Sequence, residues 1–354
     1  MKHLPIASAL LISATALFAQ EKAAAPQMPD PKHKEHEVLA PLAGDWTFTM
    51  KMAAMPGVPG MEKPSEGKGN EHAELVCNGL WLKSSIQSVW QGAPFEGIWL
   101  AGYDPFEKKY SSYWVSSDAN ECGLSTMTGS YDAAKKTWTW SGESAHGPMR
   151  SVFVLESNDR TVETCYAKGA DGKEMQCMEI VRTRSKGPMA AEASAAKAPP
   201  LAKEHELLQR DVGTWDATVK CAMPGQPEST EQGTETVVAT CCGRWLWTNF
   251  QGRMMGQPFE GHGILGYDLT AKKYIAIWID SMSPTAAVTK GTFNEATKAY
   301  SLAGECICPE GKPMKMSETV TWKGDDTKVA QMQFTVEGQT STMQIDYKRK
   351  APKR

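Results

Sequence analysis

APFEGIWLAGYDPFEKKYSSYWVSS, residues 93–117, is written a second time as QPFEGHGILGYDLTAKKYIAIWIDS, residues 257–281. Aligned without a gap, the two stretches share twelve of twenty-five residues, so the chain carries an internal duplication. Each copy reads as one β-hairpin. An apolar run (Ile98–Tyr103, Ile264–Tyr267) leads into a polar, Asp-led turn, and a second run follows (Tyr110–Ser117, Tyr274–Ser281).

Working outward, the duplication extends well beyond the hairpin on both sides. Lys34-Glu-His-Glu-Val-Leu is matched by Lys203-Glu-His-Glu-Leu-Leu. In each, His36, Leu39 and Ala43, or His205, Leu208 and Val212, fall three or four apart, which predicts a short helix with one buried face. Gly44 and Gly213 then end it. From Trp46 and Trp215 the period changes to two, the mark of a half-buried strand. Further short alternating runs separated by turn residues give nine or ten strands per copy. That spacing predicts an all-β chain of two tandem antiparallel up-and-down barrels, each opened by a short helix. The first repeat spans 35–184 and the second 204–349, joined by an Ala/Pro-rich linker at 185–203 and followed by a basic tail at 350–354.

The first nineteen residues have a basic start, an apolar run from Leu10 to Phe18 and Leu-Phe-Ala before Gln20, the pattern of a secretory signal cleaved near Ala19. Residues 20–34 then read as a flexible leader. The apolar run is too short for the roughly 20 residues of a membrane-spanning helix. The expected product is exported to the periplasm or beyond, without a membrane span. A net charge of −3, one unit more negative once Lys2 is removed, gives nucleic-acid binding no support. Nine cysteines in an exported chain permit disulfides, and Cys165 and Cys177 flank a Gly-Ala-Asp-Gly turn in a way that suits a cross-strand bridge.

Gly44-Asp45-Trp46 and Gly213-Thr214-Trp215, each after a helical turn, resemble the opening of lipocalin-like barrels. That resemblance implies a Trp plug at the closed end, packed on an Arg of the last strand: Arg182 or Arg184 in the first copy, Arg349 or Lys348 in the second. The ordered set His-Glu, Gly-x-Trp, Met-Pro-Gly, Gly-x-Trp-Leu, Pro-Phe-Glu-Gly, Gly-Tyr-Asp and Lys-Lys-Tyr…Trp, present twice, is similar to the bacterial family called domain of unknown function 1579. The family supports the fold and leaves function open.

Six residues of the repeated hairpin are candidates for ligand contact: Glu96, Tyr110 and Trp114, with Glu260, Tyr274 and Trp278. The aromatics lie on one strand face and either line a cavity or fill a small barrel. The carboxylates, if they face inward, are desolvated and serve as acid, base or ligand anchor; if they face outward, they are ordinary strand-start residues. His36 and His205 read as metal or haem ligands or as packed residues. Met50, Met52, Met55 and Met61 suit copper(I) or a strand wall. Cys306 and Cys308 lack the partners of a zinc site. No hydrolase, zincin, phosphate-loop or dinucleotide motif is present. The leading expectation is a non-catalytic carrier of a small, mainly apolar molecule, with no cofactor. A barrel enzyme using Glu96 and Glu260, and a haem or copper carrier, stand as alternatives.

Overall fold

The computed structural model describes residues 30–55, 61–90, 92–118, 123–144, 147–168, 172–187, 198, 200–225 and 227–351. The expected signal, most of the leader and much of the linker lie outside these residues.

The first repeat folds as β1 (Gly44–Met52), β2 (Ser65–Val76), β3 (Trp81–Trp90), β4 (Ala93–Asp104), β5 (Lys109–Ser116), β6 (Ser125–Asp132), β7 (Thr137–Ser144), β8 (Gly147–Ser157), β9 (Arg160–Lys168) and β10 (Glu174–Arg184). The second folds as β11 (Gly213–Ala222), β12 (Ser229–Thr240), β13 (Trp245–Met254), β14 (Gln257–Asp268), β15 (Lys273–Asp280), β16 (Ser283–Asn294), β17 (Ala299–Ile307), β18 (Pro313–Trp322), β19 (Thr327–Val336) and β20 (Gln339–Arg349). Within each repeat every strand pairs antiparallel with its neighbours in sequence, and β1–β10 and β11–β20 close the two rings. The alternation that predicts these strands is visible in their burial: in β1, Trp46 and Phe48 are buried while Thr49 and Lys51 are exposed. Both repeats are therefore closed ten-stranded barrels.

One end of each barrel is plugged. Trp46 donates its indole N–H to the Leu42 carbonyl at 2.9 Å, and Trp215 donates to that of Asp211 at 2.9 Å. The guanidinium that stacks on Trp46, at 4.1 Å, belongs to Arg184 and not to Arg182; Arg349 stacks on Trp215 at 4.0 Å. Register decides the first case, because Arg184 pairs directly with Trp46 whereas Arg182 pairs with Phe48, one step further inside. Arg184 also donates to the carbonyls of Ala43 and Pro41, and Arg349 to those of Val212 and Arg210, so each cation closes the otherwise open backbone of the capping segment.

The capping segments correct the expected buried face. Lys34–Leu42 is a 3-10 helix, and α1 (Lys203–Leu208) continues as a 3-10 turn, Gln209–Asp211. Three residues per turn put His36, Leu39 and Leu42, and His205, Leu208 and Asp211, on the inner side. Ala43 and Val212 are only half-buried.

The two barrels pack wall to wall through the outer faces of the duplicated hairpins. Ile98, Leu100 and Val115 of the first share one buried cluster with Trp245, Ile264, Ile277 and Ile279 of the second. Polar bonds fix the register of this seam. Trp245 donates to the Ser116 carbonyl at 3.2 Å, and Arg244 to that of Ser117 at 3.0 Å. Replacing Trp245 by Ala leaves a void at the seam and an unpaired carbonyl, and the expected loss is about 3–5 kcal/mol of unfolding free energy, read from chemical denaturation followed by circular dichroism.

Candidate ligand-binding cavities

Each barrel encloses a cavity, and the two differ threefold in size. That of the second barrel is about 830 Å³ and that of the first about 260 Å³. Matching the repeats position by position explains the difference. The first barrel has Phe48, Trp99, Trp140 and Phe153 where the second has Ala217, Gly263, Leu302 and Val320, all pointing inward. Ile86 against Phe250, Leu155 against Trp322 and Ala167 against Phe334 run the other way, but the four losses fall together around the middle of the chamber. Four rings fill the first interior and their absence opens the second.

Trp114 and Trp278 line these cavities, as does Phe95, whose ring stacks on Trp114 at 6.3 Å. Each Trp lies flat on the Gly of Pro-Phe-Glu-Gly: a Cβ at Gly97 or Gly261 would strike the indole. The Tyr residues of the same strand faces sit deeper, at the plug. Tyr110 donates to the Glu35 carbonyl at 2.8 Å and Tyr274 to that of Glu204 at 3.4 Å, so they tie the capping segments down instead of lining the cavity.

Glu96 and Glu260 are on the opposite face. Alternation puts Glu96 on the side of Ile98 and Leu100, the barrel–barrel seam, where its carboxylate accepts the Cys242 backbone N–H at 2.8 Å. Glu260 accepts from His262 Nε2 at 2.8 Å, and the His262 ring stacks on Trp247 at 5.0 Å. Neither carboxylate reaches an interior, so Glu96 and Glu260 are not placed to act as acid or base inside the barrels.

His36 and His205 are packed under the caps. His36 Nδ1 accepts the His33 backbone N–H at 2.9 Å, and His205 Nε2 lies 3.2 Å from the Tyr267 carbonyl. Burial lowers the pKa of both below the ordinary histidine value, keeping them neutral. Among the described residues no group of three or more His, Cys, Asp or Glu side chains is placed to hold a metal. Cys165 and Cys177 are free thiols: a bulge between Gln176 and Met178 displaces Cys177, so the direct partner of Cys165 is Met178. Both line the smaller cavity, together with all four methionines of the Met50–Met61 run.

The interior charges are elsewhere, and the hairpin does not carry them. In the first barrel Arg182 binds Glu71 at 2.6 Å and Glu163 at 3.0 Å; Ser84 donates to Glu71, and Ser151 donates to Glu163 at 2.7 Å. In the second, Lys328 binds Asp211 at 3.0 Å and Glu235 at 2.9 Å. Glu71 and Glu235 are equivalent, facing Trp46 and Trp215 across β1–β2 and β11–β12. The cation has moved one strand: Arg182 pairs with Thr161, and at the matching positions Tyr347 pairs with Lys328. The second carboxylate has moved with it, from Glu163 on β9 to Glu318 on β18, where the first barrel has Ser151. Burial, reinforced by Glu235 and Asp211 and opposed by Lys328, raises the Glu318 carboxyl to about 7. An apolar chamber thus ends in a floor with three acidic groups and one ammonium, where Glu318 donates or accepts a hydrogen bond according to pH. Sequence offered one signal for this floor, the Gly-x-Glu of Gly69–Glu71 and Gly233–Glu235, in phase with the buried residues of its strand.

The geometry defines a class: tandem closed antiparallel barrels with an apolar interior and a charged floor. The sequence profile described as "Protein of unknown function (DUF1579)" matches residues 31–184 and 201–349, and the chain belongs to that family. No curated protein matches it significantly. Among solved structures it is similar to Rv2717c from M. tuberculosis, with 14% identity over 43% of this chain and 100% of that one, at a TM-score of 0.35. It is also similar to the S-type phycobiliprotein lyase CPES from Guillardia theta, with 11% identity over 44% of this chain and 100% of that one, at a TM-score of 0.34.

Glu318 gives the floor a pH signature. A carboxyl whose folded pKa lies above its unfolded value near 4.5 binds an extra proton in the folded state, so its stabilisation is complete below that value and is lost as pH rises to about 7. Relative to Glu318→Gln, the wild type is expected to lose stability across this window, by on the order of 3 kcal/mol at most. Denaturation midpoints of both proteins at a series of pH values check it, and a difference that stays flat with pH contradicts it.

Proposed function

We propose that the protein is an exported, non-catalytic binding protein for a small, mainly apolar molecule, held in the second barrel. The carrying observation is the cavity of about 830 Å³, inside the range of roughly 300–1,000 Å³ usual for small-molecule sites, whereas the first barrel's cavity of about 260 Å³ falls below it. Leu246, Phe250, Phe259, Leu265, Trp278 and Ile345 furnish the apolar wall, and the Lys328–Glu235–Glu318 floor receives a polar end of the ligand. The first barrel, packed with its own aromatic rings, serves chiefly as a rigid partner along the seam. Export rests on the signal-like first nineteen residues.

Native mass spectrometry of the chain purified from its natural host is expected to show an added mass, released by denaturation. A fluorescent apolar probe is expected to bind once per chain. Giving the second barrel the residues of the first, with Gly263→Trp or Ala217→Phe, is expected to abolish probe binding while the circular dichroism spectrum stays unchanged. Retained binding in both folded variants would sink this assignment to the second cavity.

A further inference from the structure

Fifteen methionines line the two cavities, seven in the first barrel and eight in the second. Most are accounted for as adaptable apolar wall. Three positions at the open rim of each barrel are not. In the first barrel Met52 on β1 pairs with Met178 on β10, which pairs with Cys165 on β9. In the second, Cys221 on β11 pairs with Met343 on β20, which pairs with Met332 on β19. These are the same three register positions of the two repeats, and all six residues line the cavities. Each row holds one thiol and two thioethers, although the cysteine has changed places, from β9 in one copy to β11 in the other.

We propose that each rim row is a binding site for one soft monovalent cation, Cu(I) or Ag(I) in chemistry, held by Cys165, Met178 and Met52 in the first barrel and by Cys221, Met343 and Met332 in the second. Directly opposed residues of adjacent strands have Cβ atoms about 4.5–5.5 Å apart, so three neighbouring sulfurs on flexible stems converge on one point without moving the backbone. Thiolate and thioether ligands select Cu(I) over harder ions. Charge points the same way. As the sulfur–metal bond forms, the thiol gives its proton to solvent, and a +1 ion with one thiolate and two neutral thioethers makes a neutral site. A wall out of contact with bulk water tolerates that, whereas it would penalise the net charge left by a divalent ion. The row shares the cavity wall and adjoins the floor, with Met332 directly opposite Glu318 and Cys165 Sγ 3.9 Å from Glu163 Oε1, so the test reads metal uptake and apolar-probe binding separately.

The test is an anaerobic titration of the reduced, metal-free chain with Cu(I) in competition with a chromogenic Cu(I) chelator. Two equivalents per chain are expected to be withdrawn from the chelator. Met332→Leu with Met343→Leu is expected to lose one equivalent, and Met52→Leu with Met178→Leu the other. Cys306→Ser with Cys308→Ser keeps both. Leucine preserves volume and apolar character, so these variants separate a metal site from a compensated packing swap between Met and Cys. Cys221→Ser and Cys165→Ser, read by Ag(I) adducts in native mass spectrometry, repeat the test if a double variant fails to fold. No uptake by the wild type, uptake that survives the leucine variants, or uptake that depends on Cys306 and Cys308 overturns the proposal. Retained apolar-probe binding in the leucine variants distinguishes loss of this site from loss of the cavity.

Discussion

The constraint on which the structure depends is that the middle of the walls β3–β5 and β13–β15 is buried on its outer face as well as facing its own barrel interior. In most of a barrel one face of each strand meets the interior and the other meets solvent. Here the outer faces of the duplicated hairpins meet each other, and the seam residues Ile98, Leu100, Val115, Trp245, Ile264 and Ile277 are as buried as any interior residue. Parity then assigns every residue of the repeated stretch. Even positions from Glu96 to Leu100 face the seam; the odd Phe95, Gly97 and Trp99 face the cavity or the Trp that lines it. A polar side chain at the seam must find a partner across it, and Glu96 finds the Cys242 amide.

This explains a duplicated carboxylate without chemistry in the cavity. Of the hairpin's seam positions Glu96 and Glu260 are the same residue, whereas Ile98, Leu100 and Val115 correspond to His262, Ile264 and Ile279. The match is imperfect, as it must be when two copies in one chain are free to diverge. Arg244 and Trp245 donate to the first barrel's carbonyls, whereas the position equivalent to Ile98 is His262, which stays on its own barrel with Glu260. An isologous contact between identical subunits repeats each bond twice; this one makes different bonds on each side of a shared apolar centre.

The barrels, the hairpin register and the plug were legible because they rest on short-range regularities: period two, turn residues and a duplicated Gly-x-Trp. The barrel count followed from the repeat itself. The seam was not legible, because nothing in an alternating pattern says what covers the outer face, and Glu96 and Glu260 therefore stood as interior candidates. The plug cation expected at Arg182, with Arg184 as the other choice, is Arg184, because only register shows which of the two pairs with Trp46. The floor was harder still. Its cation sits on β10 in one barrel and on β19 in the other, its second carboxylate on β9 and β18, so among the floor positions only Glu71 and Glu235 carry a charge repeated in one column. A charge that slides one strand around a ring keeps its neighbours in space and loses them in sequence.

The same logic makes the cavity difference readable after the fact. Trp99 against Gly263 stands inside the very hairpin that revealed the duplication, two residues past the shared Gly97 and Gly261, on the inward parity. One barrel has a packed aromatic core, with T-shaped contacts such as Trp99 on Trp140 at 5.7 Å, and the other has the larger space with a titrating carboxyl at its base. Stability and binding pull on the same interior in opposite directions, since each ring that fills a void strengthens the core and removes room for a ligand. That conflict is resolved differently in the two interiors, one filled and one open, while the seam ties their walls into one buried cluster.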